Sequence, residues 1–309
     1  MSPKMRWPRD RWRRTFRGII VPIVTPFKRT RSQELDLDAL RRHTRFLVSS
    51  GVNGIMPLGT TGEFSLLSRE ERKAVVETVA ETVSGKIPVI AGVSESGTQN
   101  TVALASDAAD AGADLLIATG PYYYKTDDEG LYVHYQAILD AIDLPLMVYN
   151  IPSWVGYNIP PLTVRRLVRE NLGRIVGVKF TTGDMVSFID YLEMLGKDLS
   201  IFIGSDALIF AALSVGAAGA VAGCANAFPR ETIGIYQHFK RGDLLKSRRI
   251  QSDLRSFART LNMGTYPSAL KEALSILGHE CGPARRPLVP LSKDERKKLR
   301  KSLVRKTAQ

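Results

Sequence analysis

One lysine, Lys179, stands inside a strongly apolar stretch of the sequence, RIVGVKFTTGD at residues 174–184. The stretch predicts a short strand buried on both faces, where an ammonium group is costly unless it is paired. Apolar walls favour the free amine, which can attack a ketone carbonyl and form a Schiff base. The resulting iminium withdraws electrons from the adjacent carbon and permits carbon–carbon bonds to form or break. The lysine alone leaves a second interpretation equally open, in which a neighbouring carboxylate pairs with it structurally.

Residues with hydroxyl groups end several other apolar runs. Thr60 and Thr61 lie in the glycine-flanked segment GTTGE, where their hydroxyls and backbone N–H groups could bind a carboxylate. Tyr149 ends another run, just before Asn150, and its phenol could shuttle protons. Three tyrosines at residues 122–124 follow a third run. Each has an ordinary alternative, namely a turn that caps a helix, a core tyrosine and an interface patch.

Eight short apolar runs alternate with longer amphipathic segments from residue 19 onward. One such segment has Ser68 as its N-cap, Glu71 three residues later and Gly85 as its stop, the signature of a helix. Eight strand–helix units predict an α/β fold, a (β/α)8 TIM barrel. An open doubly wound sheet is less favoured, because no G-x-G-x-x-G follows the first strand. The predicted strands are residues 19–27, 53–59, 88–94, 114–120, 145–151, 175–181, 199–205 and 219–225.

Helical periodicity continues after the eighth predicted strand, over about 229–261, over 267–278 and from Ser292 onward. No linker rich in Gly, Pro or Ser interrupts the chain. We therefore predict a basic N-terminal tail at 1–18 and a barrel at 19–228. The remaining segment, 229–309, is predicted to hold the last barrel helix and a C-terminal helical extension with a basic tail.

The sequence of 309 residues has a net charge of +12, concentrated at its two ends. The first 18 residues contribute +6 and the last 27 contribute +8, so the part between them is near neutral at −2. Such ends are typical of solvated tails and less often of nucleic-acid-binding segments. No apolar run reaches the roughly 18 residues that cross a membrane, and no secretory signal is recognised. Two cysteines, Cys224 and Cys281, without a short pair spacing favour a reducing, cytoplasmic location.

The histidines do not suggest a metal site. Three of the four, His43, His134 and His238, lie in predicted helices, and His279 follows one. None pairs at a ligand spacing, so we predict neither a metal nor another cofactor. A serine hydrolase is disfavoured as well, because the G-x-S-x-G elbow is missing.

Four segments closely resemble the dihydrodipicolinate synthase / N-acetylneuraminate lyase family, in the same order and spacing over about residues 17–280. They are GTTGEFSLLSREER, GPYYYKTDDEGLYVHYQAI, LPLMVYNIPSWVG and IVGVKFTTGD. The combination of GTTGE, YNxP and a lysine on the sixth strand is specific, whereas each alone is weak. The resemblance implies a pyruvate-dependent class I aldolase on a (β/α)8 barrel, acting on small molecules as a homotetramer or dimer.

The resemblance also implies a role for each matching residue. Lys179 resembles the lysine that forms the Schiff base, and Tyr149 resembles the tyrosine that relays protons to the imine and the substrate oxygen. Thr60 and Thr61 resemble the pair that holds the pyruvate carboxylate, and Thr61 is also implied in the proton relay. Tyr123 matches a tyrosine that completes this relay in a neighbouring subunit. The residues implied in further substrate contacts are Val221, through its backbone carbonyl, and Gly204, Ser205 and Asp206.

One residue departs from the pattern of the synthases. In them an arginine follows YNxPS and holds the carboxylate of aspartate semialdehyde, whereas this sequence has Trp154. Tryptophan cannot form a bidentate ion pair, so we predict cleavage or formation of 2-keto-3-deoxy sugar acids from pyruvate and a glyceraldehyde-type aldehyde. The alternative is 4-hydroxy-tetrahydrodipicolinate synthase, with another basic residue replacing the arginine. A remote alternative is a non-enzymatic, basic-tailed binding protein.

Overall fold

A computed structural model describes Trp12 and residues 16–307, with side chains described up to residue 303. The strands are Gly18–Pro22 (β1), Gly54–Met56 (β2), Ile90–Gly92 (β3), Leu115–Thr119 (β4), Leu146–Asn150 (β5), Ile175–Phe180 (β6), Ser200–Ile203 (β7) and Gly219–Val221 (β8). The helices are Leu37–Ser49 (α1), Arg69–Val83 (α2), Thr98–Asp110 (α3), Asp128–Ala141 (α4), Pro152–Val155 (α5), Pro161–Glu170 (α6), Met185–Leu195 (α7), Ile209–Ser214 (α8), Pro229–Lys240 (α9), Leu244–Thr260 (α10), Ser268–Ile276 (α11) and Lys293–Thr307 (α12).

The eight strands form one parallel barrel. Their order is β2-β1-β8-β7-β6-β5-β4-β3, and a parallel bridge between Ile55 and Val89 joins β2 to β3. Helices connect successive strands, so each apolar run is covered by a helix on one face and fills the barrel with the other. All six residues of β6 are buried, as the apolar stretch around Lys179 predicted. The predicted (β/α)8 barrel is therefore confirmed.

Part of the N-terminal segment belongs to the core. Trp12 and Phe16 are 1% and 5% exposed, and their rings meet edge to face at 5.0 Å. Phe16 also lies 5.1 Å from the ring of Phe202, on β7 inside the barrel. The basic N-terminal tail expected from the charge pattern thus contributes two aromatic rings to the barrel interior. Its other residues before Phe16 lie outside the described part of the chain.

The helix boundaries follow local capping chemistry. At the start of α2, the hydroxyl of Ser68 accepts from the backbone N–H of Glu71, and the Glu71 carboxylate accepts from that of Ser68. This helix ends at Val83, slightly before the predicted stop at Gly85, and Ser84 already has left-handed backbone angles.

The single helical pattern predicted over 229–261 is wrong in one respect. It forms two helices, α9 and α10. Gly242 has a φ of +81° between them, and the Asp243 carboxylate then accepts from the backbone N–H of Lys246 as an N-cap. A glycine followed by aspartate permits this break, because glycine adopts a positive φ readily and aspartate is a preferred N-cap. Periodicity alone hid the break, since both helices present apolar faces to the same core.

The C-terminal extension is attached to the barrel by buried charges. Lys271 on α11 lies 2.5 Å from a carboxylate oxygen of Glu63, and both side chains are almost fully buried. Arg285 binds both carboxylate oxygens of Glu71 at 2.6 and 2.7 Å and donates its backbone N–H to Glu63. We call Glu63, Glu71, Lys271 and Arg285 the C-terminal clasp.

The last helix, α12, presents most of its positive charge to solvent. Its own Leu299 and Leu303 are buried, whereas Lys297, Lys298 and Arg300 are exposed. Among the helices of the described residues, none is both long and apolar enough to cross a membrane.

Candidate active site

Lys179 and Tyr149 lie side by side on adjacent strands. Tyr149 of β5 pairs with Lys179 of β6, which pairs in turn with Phe202 of β7. Residues paired across parallel strands point to the same face of the sheet, and here they point into the barrel. The Nζ atom of Lys179 lies 3.8 Å from the centre of the Tyr149 ring, and both residues are 4% exposed. The register of two neighbouring strands therefore brings an amine and a phenol together.

Lys179 has no acidic partner in the described part of the chain. Among the described residues, no carboxylate lies within ion-pair distance of its amine, which instead borders a cavity at the barrel mouth. The structural interpretation of this lysine required a paired carboxylate. That arrangement does occur in the molecule, but at Lys271. The amine of Lys179 is thus buried, unpaired and open to a ligand in the cavity.

The GTTGE segment supplies hydroxyls to the same mouth. It forms a 3₁₀ turn, Thr60–Gly62, directly after β2. The Thr60 hydroxyl lies 3.4 Å from the hydroxyl of Tyr149, and the Thr61 hydroxyl lies 2.8 Å from that of Tyr266. The resemblance implied Thr61 as the relay threonine, but the structure places Thr60 next to Tyr149. The two threonine side chains thus contact different tyrosines, and the one beside Tyr149 is the residue before the one that the resemblance implied.

The cavity has a volume of about 410 Å³ and collects nearly all the predicted site residues. It lies where the carboxyl ends of the strands meet, the usual place for the active site of such a barrel. One close approach in its wall requires glycine, since a Cβ atom at Gly204 would lie 1.9 Å from the hydroxyl of Thr181. The predicted residues that line the cavity are Lys179, Tyr149, Thr60, Thr61, Trp154, Val221, Gly204, Ser205 and Asp206.

Tyr123 lies apart from this group. It does not line the cavity, its side chain is 89% exposed, and it packs edge to face with Tyr124 at 5.1 Å. Its φ of +77° is uncommon for a bulky residue. Its predicted contribution to a neighbouring subunit's site stays a prediction.

The charge of Lys179 acts on the neighbouring phenol. Burial raises the pKa of Tyr149, but the ammonium of Lys179 and hydrogen bonds outweigh this effect and bring the pKa below its usual value. A more acidic phenol exchanges its proton more readily near neutral pH. Tyr149 is therefore electrostatically suited to proton transfer.

Asp206 is the acidic group of the cavity. Burial raises its pKa to about 6, although the backbone N–H of Cys224, 2.9 Å away, and the charge of Lys179 favour the carboxylate. It follows β7 and opens a 3₁₀ turn. No group of three or more His, Cys, Asp or Glu side chains in the described part of the chain could hold a metal ion.

Sequence reasoning missed the residues that the C-terminal extension adds to the site. Arg259 lies in the last turn of α10, Asn262 and Tyr266 follow this helix, and all three line the cavity. The candidate residues came only from strand ends, where the chemistry of such barrels usually lies. An arginine in the last turn of α10, with an asparagine and a tyrosine in the connection after it, was the available signal, but nothing local showed that this part of the chain crosses the barrel mouth.

A parallel (β/α)8 barrel with an unpaired buried amine at the carboxyl end of its sixth strand defines a class I aldolase, an enzyme that forms or breaks carbon–carbon bonds. The comparison with known families agrees. The model of the Dihydrodipicolinate synthetase family matches residues 15–306, and the chain belongs to this family. The predicted family and the predicted carbon–carbon lyase are thus confirmed.

Known proteins similar to this chain carry the names of synthases. It is 36% identical over 290 residues to the 4-hydroxy-tetrahydrodipicolinate synthase of Methanoculleus marisnigri, covering 94% of this chain and 99% of the relative. The solved dihydrodipicolinate synthase of Thermotoga maritima is 34% identical with a TM-score of 0.90, covering 95% and 99% of the two chains. A prophage protein of the same family from E. coli K12, solved in complex with pyruvate, is 27% identical with a TM-score of 0.90, covering 95% and 99%. These names do not support the expectation that the chain is nearer to 2-keto-3-deoxygluconate aldolases.

Proposed function

We propose that Lys179 forms a Schiff base with pyruvate. The observation that carries this proposal is the buried amine, without a carboxylate partner, at the wall of a cavity of about 410 Å³. The amine attacks the ketone carbon, and the carbonyl oxygen leaves as water. The methyl carbon then loses a proton to give an enamine, which attacks the carbonyl carbon of an aldehyde. Hydrolysis of the imine returns the free lysine.

The neighbouring hydroxyls suit the other needs of this reaction. The threonine turn offers two hydroxyls and backbone N–H groups to the pyruvate carboxylate. Tyr149 stands beside the amine, where its phenol delivers and removes the protons that imine formation and hydrolysis exchange. Its lowered pKa supports this role.

For the aldehyde, we propose aspartate semialdehyde, whose amino group attacks the imine carbon in place of water and releases the lysine amine, so that the ring closes and the product is 4-hydroxy-tetrahydrodipicolinate. The names of the relatives at 36% identity support this choice. Arg259 supports it physically, since a guanidinium on the cavity wall can bind the semialdehyde carboxylate in two parallel hydrogen bonds. Arg259 of α10 could therefore take the place of the arginine that the synthases have at the position of Trp154.

A second candidate is cleavage of 2-keto-3-deoxy sugar acids to pyruvate and a neutral aldehyde. Trp154 favours it, because the indole lines the cavity where the synthases have an arginine. If Arg259 does not reach the substrate, the semialdehyde carboxylate is left without a partner, at a cost of about 2–5 kcal/mol. A neutral polyhydroxy aldehyde carries no such penalty.

Trapping the imine tests the shared chemistry. Sodium borohydride with pyruvate should reduce the imine and add a fixed mass to the peptide that contains Lys179. The other buried lysine, Lys271, is an internal control and should remain unmodified. An adduct that persists in Lys179→Ala, or none in the unaltered protein, would contradict the Schiff-base proposal.

Side-by-side kcat/KM values test the aldehyde. We expect condensation with aspartate semialdehyde to exceed sugar-acid cleavage, and Arg259→Ala to lower the first about 10-fold or more without changing the second. Arg255→Ala is the matched control, since Arg255 is exposed on the same helix and does not line the cavity. A higher value for sugar-acid cleavage, unaffected by Arg259→Ala, would favour the second candidate.

A further inference from the structure

Tyr266 occupies the active-site cavity without a role in the reaction proposed above. It lies between α10 and α11, and its hydroxyl is 2.8 Å from the hydroxyl of Thr61. The two residues are far apart in the sequence and meet only because the C-terminal extension crosses the barrel mouth. A phenol hydrogen-bonded to a hydroxyl of the cavity wall constrains where that hydroxyl can point.

The phenol oxygen is held tightly against the mouth. A Cβ atom added at Gly223 would lie 3.0 Å from the Tyr266 oxygen and 3.2 Å from a carboxylate oxygen of Asp206. The Tyr266 hydroxyl therefore lies close to the backbone after β8, on the same side as Asp206. Glycine at position 223 leaves the space that the phenol needs.

The electrostatics of the cavity keep the Tyr266 phenol protonated. Burial raises the pKa of Tyr266 far above its usual value, and the charge of Asp206 adds to the effect, so the phenol keeps its proton. Tyr149, whose pKa is lowered by Lys179, is the contrasting tyrosine of this cavity. A phenol that keeps its proton is able to donate a hydrogen bond to Thr61, at the 2.8 Å that separates the two oxygens, and is poorly suited to carry protons.

We propose that Tyr266 is a positioning residue, whose hydroxyl donates to Thr61 so that the Thr61 hydroxyl donates to the carboxylate of the 2-keto acid on Lys179. A threonine oxygen has one proton and two lone pairs, so a donor that occupies one lone pair orients the remaining proton. The inference rests on the proposed Schiff-base function and adds a residue from outside the strand ends.

This role predicts a specific kinetic effect of Tyr266→Phe. The variant keeps the ring and loses only the donor. The carboxylate is bound alike in the ground state and the transition state, so KM for pyruvate should rise with kcat nearly unchanged. We expect about a 10-fold rise, typical of one hydrogen bond to a charged group. Tyr135→Phe is the matched control, since that buried hydroxyl donates to the Ala118 carbonyl outside the cavity; it should leave KM unchanged.

Two further measurements identify the partner groups. Methyl pyruvate lacks the carboxylate charge. The concentration of methyl pyruvate that gives half-maximal borohydride-trapped adduct on Lys179 should therefore be the same in the unaltered protein and in Tyr266→Phe. Thr61→Val should raise KM for pyruvate by itself, and adding Tyr266→Phe to it should cause no further rise.

The outcomes separate this inference from the proposed function. Without a pyruvate adduct on Lys179 in the unaltered protein, the Schiff-base proposal fails. If the adduct forms but Tyr266→Phe leaves KM unchanged, or lowers kcat instead, the positioning role alone is wrong. Additive effects of Tyr266→Phe and Thr61→Val would also overturn it, because two residues acting through one hydroxyl cannot add.

Discussion

The barrel mouth and the C-terminal clasp each contain a buried lysine, and the two differ in what surrounds the amine. Lys179 is 4% exposed and Lys271 is 1% exposed. The amine of Lys271 lies 2.5 Å from Glu63, donates to the Pro283 carbonyl at 3.0 Å and stands over the ring of Phe27. The amine of Lys179 stands over the ring of Tyr149 and faces a cavity.

The difference shows that burial alone does not make a lysine reactive. Burial lowers the pKa of Lys271, while the charge and the hydrogen bond of the adjacent Glu63 act in the opposite direction. With three protein contacts, that amine has no room for a substrate. Lys179 shares the burial without the carboxylate, so its amine remains available for attack.

Replacing Lys179 should therefore lower turnover, whereas replacing Lys271 should lower stability. Lys179→Met should abolish turnover, by about 10^6-fold as for the loss of a covalent nucleophile. The free energy of unfolding should stay within about 1 kcal/mol, because the substitution removes a buried amine that has no charged partner. Steady-state kinetics and urea unfolding measure the two effects. A large loss of stability would show that Lys179 also has a structural role.

Lys271→Met should act on stability. Breaking a buried pair leaves Glu63 without its cation, so the free energy of unfolding should fall by about 3–5 kcal/mol. The double variant Glu63→Gln/Lys271→Met should recover much of this loss in urea unfolding, since no charge then remains unpaired. The folded fraction of Lys271→Met should still give the borohydride adduct at Lys179. Loss of that adduct in folded protein would show that Lys271 is also needed for the reactivity of Lys179, and would contradict the purely structural role given to it here.

Tyr149→Phe removes the hydroxyl of the tyrosine that lies beside Lys179, where Lys271 instead has the carboxylate of Glu63. Turnover should fall by roughly 100-fold, the scale of a lost general acid–base group. The melting temperature should change little, because the ring that packs under the amine is retained. Unchanged turnover would make Tyr149 a packing residue, as Phe27 is beneath Lys271.

The last expected effect is a pH dependence of stability that Asp206, the acidic group of the Lys179 cavity, should produce. Its pKa is raised from 3.8 to about 6 in the folded protein, chiefly by burial. Between these two values the folded state holds the proton more tightly than the unfolded state, so stability should fall as pH rises from about 4 to 6. Asp206→Asn should remove this component, about 3 kcal/mol. Urea unfolding of both proteins across this range measures it. An ion pair with Lys179 would lower the pKa and give the opposite slope.

The sequence by itself determined the barrel and most of its mouth. Continuous apolar runs alternating with amphipathic segments are local patterns, and they suffice for a parallel sheet covered by helices. Because parallel strands share one carboxyl end, residues at strand ends such as Lys179, Tyr149 and Thr60 had to meet. The capping residues Ser68 and Glu71 likewise located the start of α2 from neighbours in the chain.

Only the tertiary structure decided which lysine is paired and what else enters the mouth. Lys271 and Glu63 belong to distant segments, and no local pattern distinguishes a helical lysine with a buried partner from one in solvent. Tyr266 and Arg259 reach the cavity because the C-terminal helices fold back across the barrel. The ion pair of Lys271 with Glu63 and the path of the C-terminal helices across the barrel mouth both depend on long-range packing. The free energy of burying a charge is set by partners that come together only when the chain folds.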